Sequence, residues 1–398
     1  MSRKIVGLSL IVIIFSGLFI QYQIRAPRRN YSDYSCFYKA GKDILQGKNP
    51  YIKDSEEIST FKYTPIFALF MAPLAIFDQR TSASLFFLLN LCAVFFIFKL
   101  SRKLIFYKEI SANNEFLLFV FVSLINFRFV LNCLHSAQVG LFIMLAVVFG
   151  LFFISKAKNA IGASFIGIAV MIKYMPALFI PYFFIKRKFK ISFLILVAIV
   201  IYCLLPGLFI GLKYNFFLLK ELIPHISSTS LGEGAFLNEK MQSLWAFPFR
   251  AFTGISSFSA TLFTLCIFAI LTVFIIISNK KQIKKEKELF TNCLDYGLVF
   301  ILIPLFNPHG WIHNFVTLIF PTMLVIYYLM VCNFKDKLVL SLVVVYFVLT
   351  TFGSPSFVGE AVQTILERFS IVIFGSLFLF AAIVKIKFRS MLSMDKEN

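Results

Sequence analysis

Apolar runs of about twenty residues recur along the whole chain, with short polar segments between them. A helix of about 20 apolar residues crosses the ~30 Å hydrocarbon core of a bilayer. Only helices and closed barrels satisfy their backbone polar groups in lipid, and the period-two alternation of a barrel strand is absent from this sequence. The pattern therefore predicts an all-α, polytopic membrane protein that forms a single domain over residues 1–398.

We place about twelve spanning helices along this domain. Their predicted ranges are 5–21, 82–100, 115–132, 138–154, 159–173, 174–186, 191–212, 258–278, 292–307, 311–332, 338–353 and 368–385. The apolar stretch 64–77 is short and contains Pro65 and Pro73, which favours an interfacial or re-entrant helix over a spanning one. If it did span, the later basic clusters would move to the other side of the membrane. With 64–77 not spanning, two long non-cytoplasmic loops remain, a first external loop over 22–81 and a second over 213–257.

The charged residues indicate the orientation of the chain. Hydrophobic residues make up 59% of it and charged residues 15%, and its net charge is +20. The basic residues cluster in short segments between apolar runs, as the positive-inside rule expects of cytoplasmic loops. A nucleic-acid-binding protein would carry a basic stripe on one folded face, so we expect no nucleic-acid partner. The prediction is a multi-pass protein of the cell (inner) membrane, surrounded by membrane lipids, with both termini in the cytoplasm.

Three other sequence features narrow the class of protein. Residues 5–21 could pass for a signal peptide, but no small-residue cleavage pattern follows, so we expect a retained first helix. The seven cysteines show no Cys-x-x-Cys or paired spacing, which predicts neither a disulfide nor a metal site. The first external loop is rich in Arg and Lys, which is typical of a surface facing lipid headgroups or of a landing site for a lipid phosphate.

Lys173 lies inside an apolar stretch that runs from 160 to 185. A lysine in the middle of a membrane costs roughly 2.5–3.5 kcal/mol on insertion scales, so it should face protein or a water-filled cavity. The following Pro176 ends the helix and would place Lys173 near an external turn. A lysine that snorkels from a helix end is the structural alternative. The functional interpretation is a cation that binds a phosphate.

Asp33 lies about a dozen residues beyond the first predicted helix, among several aromatic residues. An aspartate in a loop is commonly a solvated charge or a helix cap. Aromatic neighbours close to the bilayer would shield its carboxylate from water and favour it as a general base.

Two polar turns reach the same predicted face, 132–138 and 307–314, and contain three of the four histidines. His309 and His313 are four residues apart, a spacing that would suit a metal on a helix, but Gly310 between them favours a turn and no carboxylate stands nearby. One carboxylate with several cations suits glycosyl transfer from a lipid phosphate, because a phosphate leaving group needs positive charge and no general acid. Glycoside hydrolysis usually needs two carboxylates.

These residues resemble those of glycosyltransferase family 87, the polyprenyl-phosphate-mannose-dependent mannosyltransferases of the GT-C class. The similar elements are Asp33, Gly47-Lys48-Asn49-Pro50-Tyr51, Tyr63-Thr64-Pro65, Gln138-Val139-Gly140, Lys173-Tyr174-Met175-Pro176, Gln242-Ser243-Leu244 with Arg250, and Asn307-Pro308-His309-Gly310-Trp311-Ile312-His313. The chain departs from the family pattern at four positions within or next to these elements, where it has Ala137, Gly140, Met241 and Asn314. These departures bear on acceptor choice and activity more than on the fold.

The resemblance implies a GT-C-like fold with a catalytic first external loop. Asp33 would be the general base of an inverting displacement that moves a hexose, mannose above all, from a polyprenyl monophosphate to a glycolipid or glycan acceptor. The residues implied to bind the phosphate or sugar of the donor are Lys173, Arg250, His313, Gln138, Tyr63 and Gln242. The resemblance implies no cofactor, no obligatory metal and no nucleotide sugar.

A transporter or flippase of a lipid-linked sugar is the main alternative. It accounts equally well for the helices and for a lysine at membrane depth. It also predicts an inverted repeat with interrupted helices at related positions in both halves, and the sequence shows no such repeat. A purely structural membrane subunit would leave Lys173 and the polar turns without a reason.

Overall fold

A computed structural model describes residues 3–28, 30–31, 33–52, 60–230, 236–277 and 285–394. Within these ranges the chain is helical and has no strand, only one isolated β-bridge between Met241 and Trp311. The predicted all-α class is confirmed. Lys280, Lys281 and Lys284, which entered the prediction of orientation, lie outside the described residues, as do Arg29 and Lys53 of the predicted first external loop.

The helices are α1 (Arg3–Arg28), α2 (Tyr34–Leu45), α3 (Pro65–Met71), α4 (Gln79–Ile105), α5 (Ala112–His135), α6 (Gly140–Ser155), α7 (Asn159–Ile172), α8 (Phe179–Ile185), α9 (Phe189–Leu204), α10 (Gly207–Ile210), α11 (Leu212–Ser230), α12 (Phe247–Ala251), α13 (Ser257–Ile277), α14 (Lys285–Leu305), α15 (Ile319–Val331), α16 (Lys337–Phe347), α17 (Pro355–Arg368) and α18 (Ile371–Met394). Short 3₁₀ helices cover Leu74–Ile76, Met175–Leu178 and Ile312–Leu318, and a π-helical turn covers Val348–Phe352.

Seven of the described helices are long and apolar enough to cross a membrane, or eight if one bent pair forms a single span. This establishes a multi-pass membrane protein, whereas the predicted number of about twelve spans is not confirmed. The predicted spans 138–154, 159–173 and 174–186 correspond to shorter helices, because turns at Lys158 and Lys173 interrupt the apolar stretch.

The helices differ in how much of their surface is buried in protein. Of an 18-residue apolar segment within Ile312–Val331, 94% is buried, while of the corresponding segment within Ser257–Ile277 only 17% is buried. The first stretch is therefore the centre of the bundle, and α13 lies at its edge, where lipid would cover it. The polar turn 307–314, with its candidate site residues, leads into the N-terminal end of this central stretch.

A buried carboxylate connects three helices of the bundle. Asp295 of α14 pairs with Lys186, which follows α8, and with Lys387 of α18. Both lysines belong to basic clusters that the charge pattern assigns to the cytoplasm. Charges inside a membrane protein are tolerated when they pair in this way.

The described part of 22–81, the predicted first external loop, is mostly helical. The predicted helix over 64–77 consists of α3 and a 3₁₀ turn with a break at Ala72–Pro73, since proline lacks the N–H that would continue the helix. At seven residues α3 is too short to span, although its position relative to the bilayer stays a prediction. Gly41 of α2 lies against the backbone of Met71, where a Cβ would approach the carbonyl carbon to 2.8 Å. This close contact positions α2, and with it Asp33.

Helices α6 and α7 meet through two glycines. A Cβ at Gly162 would lie 2.6 Å from the carbonyl oxygen of Gly150 and 3.0 Å from the backbone nitrogen of Ile154. Small residues permit this kind of close backbone approach between membrane helices.

Gly162→Ala should therefore destabilise the protein by about 1–3 kcal/mol, because the new methyl group meets backbone rather than a side chain that could turn away. The measurement is the midpoint of thermal unfolding of the purified protein in detergent. Gly17→Ala is the matched control, since nothing lies within 4 Å of a Cβ at Gly17. Equal midpoints for the two variants would show that α6 and α7 do not pack as described.

Candidate active site

Asp33 immediately precedes α2 and is half-buried. It does not act as a helix cap, because its side chain makes no capping hydrogen bond to α2. Its Oδ2 instead accepts a hydrogen bond from Nε2 of Gln138. Two of the predicted site residues thus meet directly, and the interpretation of Asp33 as a mere cap is excluded.

The turn after α5 places Gln138. Ala137 has a φ of +48°, in the left-handed region, which reverses the chain after His135. The Gln138 N–H then donates to the Cys133 carbonyl at 2.9 Å, and the Gln138 side chain is buried. This turn directs the amide of Gln138 inward, toward Asp33.

Lys173 ends α7 and has an extended backbone. Its Nζ donates to Oδ1 of Asn314 at 2.7 Å, and Nδ2 of Asn314 donates to the His309 carbonyl at 2.6 Å. Lys173 therefore faces the protein, as the cost of a buried ammonium predicts, and does not snorkel to the membrane surface. Pro176 lies in the 3₁₀ turn that follows.

The segment 60–64 brings two further groups to this place. Thr64 donates through its hydroxyl to the carbonyl of Met171, close to the end of α7. The Tyr63 ring packs against Phe37 of α2 with centroids 5.2 Å apart. Burial, with a smaller contribution from Asp33, raises the pKa of the Tyr63 hydroxyl well above its usual value, so this group remains a neutral hydrogen-bonding group.

The histidine turn lies on the other side of Lys173. Burial lowers the pKa of His309 to about 4, and the nearby charges of Lys62 and Lys173 act in the same direction. The ring of His309 is consequently neutral at pH 7. His313 is the second residue of the adjoining 3₁₀ helix, and its carbonyl oxygen would lie 3.3 Å from a Cβ at Gly140. Gly140 therefore lies where the start of α6 contacts this 3₁₀ helix.

Gln242 and Arg250 belong to a neighbouring group of contacts. The Gln242 N–H donates to the Gly310 carbonyl at 2.8 Å. The Arg250 guanidinium donates to the Met241 carbonyl at 2.7 Å and to the Ser370 hydroxyl at 2.5 Å. These contacts attach the second external loop to the histidine turn. Donor binding by Gln242 and Arg250 stays a prediction.

A buried ion pair supports this loop. Arg128 of α5 pairs with Glu367 of α17 at 2.7 Å, and the two side chains are 6% and 3% exposed. Arg128 also donates to the Thr350 carbonyl at 3.0 Å, while the Glu367 carbonyl accepts from the Gln242 side chain at 2.8 Å. Neither Arg128 nor Glu367 is among the residues predicted from the sequence. The signal was available, since Arg128 is a charged residue inside the apolar run 115–132.

The site thus joins one carboxylate, Asp33, to the ammonium groups of Lys62 and Lys173 and to neutral hydrogen-bonding groups. Electrostatic interactions link Lys173 to both Asp33 and Lys62. No three His, Cys, Asp or Glu side chains that could together bind a metal come close to one another in the described part of the chain. Such an arrangement can accept a proton at the carboxylate and bind an anion at the cations.

The sequence model of glycosyltransferase family 87 matches residues 61–304. No curated protein matches the chain. The family match includes Tyr63, Gln138, Lys173, Gln242 and Arg250. It begins after Asp33, whose place in the site rests on the hydrogen bond from Gln138.

Proposed function

Since the chain belongs to glycosyltransferase family 87, we propose that it transfers a hexose from a polyprenyl monophosphate to a glycolipid or glycan acceptor. Mannose is the first candidate for this hexose. Membership of the family establishes a glycosyltransferase. The identity of the donor lipid and of the sugar, and a GT-C-like arrangement, belong to the proposal.

The observation that carries this proposal is the pairing of Asp33 with Gln138 beside two lysines. A single carboxylate can remove the proton of an acceptor hydroxyl, while ammonium groups stabilise a departing phosphate. A second carboxylate, which a glycosidase would need to protonate its leaving group, is not required when the leaving group is a phosphate.

The proposed step is an inverting displacement. The acceptor hydroxyl oxygen attacks the anomeric carbon of the donor sugar from the face opposite the phosphate, and its proton passes to the carboxylate of Asp33. The bond between the anomeric carbon and the phosphate oxygen breaks, and its electron pair leaves with the polyprenyl phosphate. Lys173 balances the negative charge that develops on that phosphate. A β-linked donor would give an α-glycoside.

We place this chemistry on the non-cytoplasmic side of the cell membrane, with both termini in the cytoplasm. Asp33, Gln138 and His309 all lie in segments that the positive-inside rule assigns to that side.

The decisive experiment uses purified protein in liposomes that contain a radiolabelled polyprenyl-phosphate mannose and candidate glycolipid acceptors. We expect the label to move from the donor lipid to an acceptor lipid, with no need for a nucleotide sugar. A parallel reaction with polyprenyl-phosphate glucose tests the choice of sugar. If the intact donor changed leaflet and no acceptor ever became labelled, the protein would be a transporter of a lipid-linked sugar and the proposal would be wrong.

A further inference from the structure

The imidazole of His309 has a buried nitrogen, Nε2, that makes no hydrogen bond within the described part of the chain. The His309 N–H donates to Oδ1 of Asn307 at 3.0 Å, and the His309 carbonyl accepts from the Trp311 N–H at 2.8 Å and from Nδ2 of Asn314 at 2.6 Å. These bonds fix the backbone that carries the imidazole. Its Nε2 is nevertheless buried without a hydrogen-bond partner among the residues that the structure describes. Buried polar groups in native proteins are nearly always paired, so an orphaned one needs a physical reason.

The charged groups that act on this imidazole are cations. Lys62 and Lys173 both act electrostatically on His309, and Lys173 is also joined to it through the side chain of Asn314. An ammonium group can only donate hydrogen bonds, whereas Nε2 of a neutral imidazole can donate or accept. Both lysines already interact with other groups, but an ammonium group offers three protons, so each can also donate to a further acceptor.

We propose that Nε2 of His309 donates a hydrogen bond to a phosphate oxygen of the lipid donor, beside the ammonium groups of Lys62 and Lys173. This inference rests on the proposed function and adds a phosphate contact to that same site. A ligand that meets three donors at once must offer several acceptor atoms, and one that lies near two ammonium groups should be negatively charged. A phosphate meets both conditions, whereas the hydroxyls of a sugar carry no charge.

The experiment measures binding rather than transfer. Polyprenyl monophosphate and the uncharged polyprenol of the same chain length are bound in turn to the purified full-length protein. His309→Ala should weaken binding of the phosphate by about 10- to 100-fold, as expected for the loss of one hydrogen bond to a charged group, and should leave polyprenol binding unchanged. His309→Gln keeps an N–H donor at a similar distance from the backbone and should recover most of the affinity.

His135→Ala is the matched control, because Nε2 of His135 is already paired with Gln21 at 3.1 Å. It should bind polyprenyl monophosphate as the wild type does. If His309→Ala also bound the phosphate as the wild type does, or if it lost phosphate and polyprenol equally, the inference would be overturned while the proposed function stood. Failure of the proposed function would look different, since the wild type itself would then bind the phosphate no better than the alcohol.

Discussion

Asp33→Asn should lower the rate of sugar transfer by about 10²- to 10⁴-fold, the usual contribution of a positioned general base. An amide has nearly the shape of a carboxylate but cannot take a proton from the acceptor hydroxyl. Gln138 can still contact the side chain at position 33 through its own amide, so the fold around the site should persist. The measurement is the initial rate of label transfer from a polyprenyl-phosphate sugar to an acceptor lipid, together with the affinity for the donor.

Asp78→Asn provides the matched control for this substitution. Asp78 is exposed and caps α4, where its carboxylate accepts from the Thr81 N–H at 3.3 Å. Asparagine caps helices about as well as aspartate, so this variant should transfer sugar at the rate of the wild type. Donor affinity should change little in Asp33→Asn, because the lysines remain. Transfer at the wild-type rate by Asp33→Asn would remove Asp33 from the mechanism.

Arg128→Met should destabilise the protein by about 3–5 kcal/mol, because it leaves the carboxylate of Glu367 buried without its cation. The loss of stability should extend to the second external loop, since the backbone carbonyl of Glu367 accepts a hydrogen bond from the Gln242 side chain. The measurement is the midpoint of thermal unfolding in detergent, read with and without polyprenyl monophosphate.

The double variant Arg128→Met with Glu367→Leu distinguishes the effect of an unpaired buried charge from the effect of lost side-chain packing. Replacing both partners of a buried pair by apolar residues is often neutral, so the double variant should unfold closer to the wild type than Arg128→Met does. If the double variant were the less stable of the two, the stabilising contribution would come from packing around the arginine, and the buried charge would not be the cause.

The class of fold could be predicted from the sequence because a membrane helix needs a long apolar run, which is a local property. The number of spans was harder to predict. The stretch 160–185 reads as apolar throughout, yet a turn at Lys173 divides it into helices too short to count as spans by length. Whether such short helices cross a bilayer depends on their tilt and neighbours, which the sequence does not encode locally.

The sequence predicted which residues belong to the candidate site better than it predicted which of them form hydrogen bonds with one another. Asp33, Gln138 and Lys173 could be chosen because each is a polar residue that a membrane protein must account for. Their partners come from distant positions, since Gln138 lies 105 residues from Asp33, and Asn314 lies 141 residues from Lys173. No local pattern records such pairings.

His309 shows a different limit. The sequence between it and His313 indicates a turn and says nothing of its hydrogen bonds, whereas the geometry shows that its Nε2 is buried and unpaired among the described residues while cations lie nearby. Hydrogen-bond satisfaction is a property of the folded arrangement, so a sequence pattern cannot report it.

The carboxylate of Asp295, shared between Lys186 and Lys387, bears on how the molecule can move. It should act as a pivot, because separating α8, α14 and α18 at this level would leave a buried charge unpaired. Asp295 lies ten residues before the end of α14, about 15 Å along the helix axis. Tilting about this pivot would displace the far ends of the helices most. The segment that follows α14, which carries His309, should therefore move more readily than the level of the bundle at Asp295.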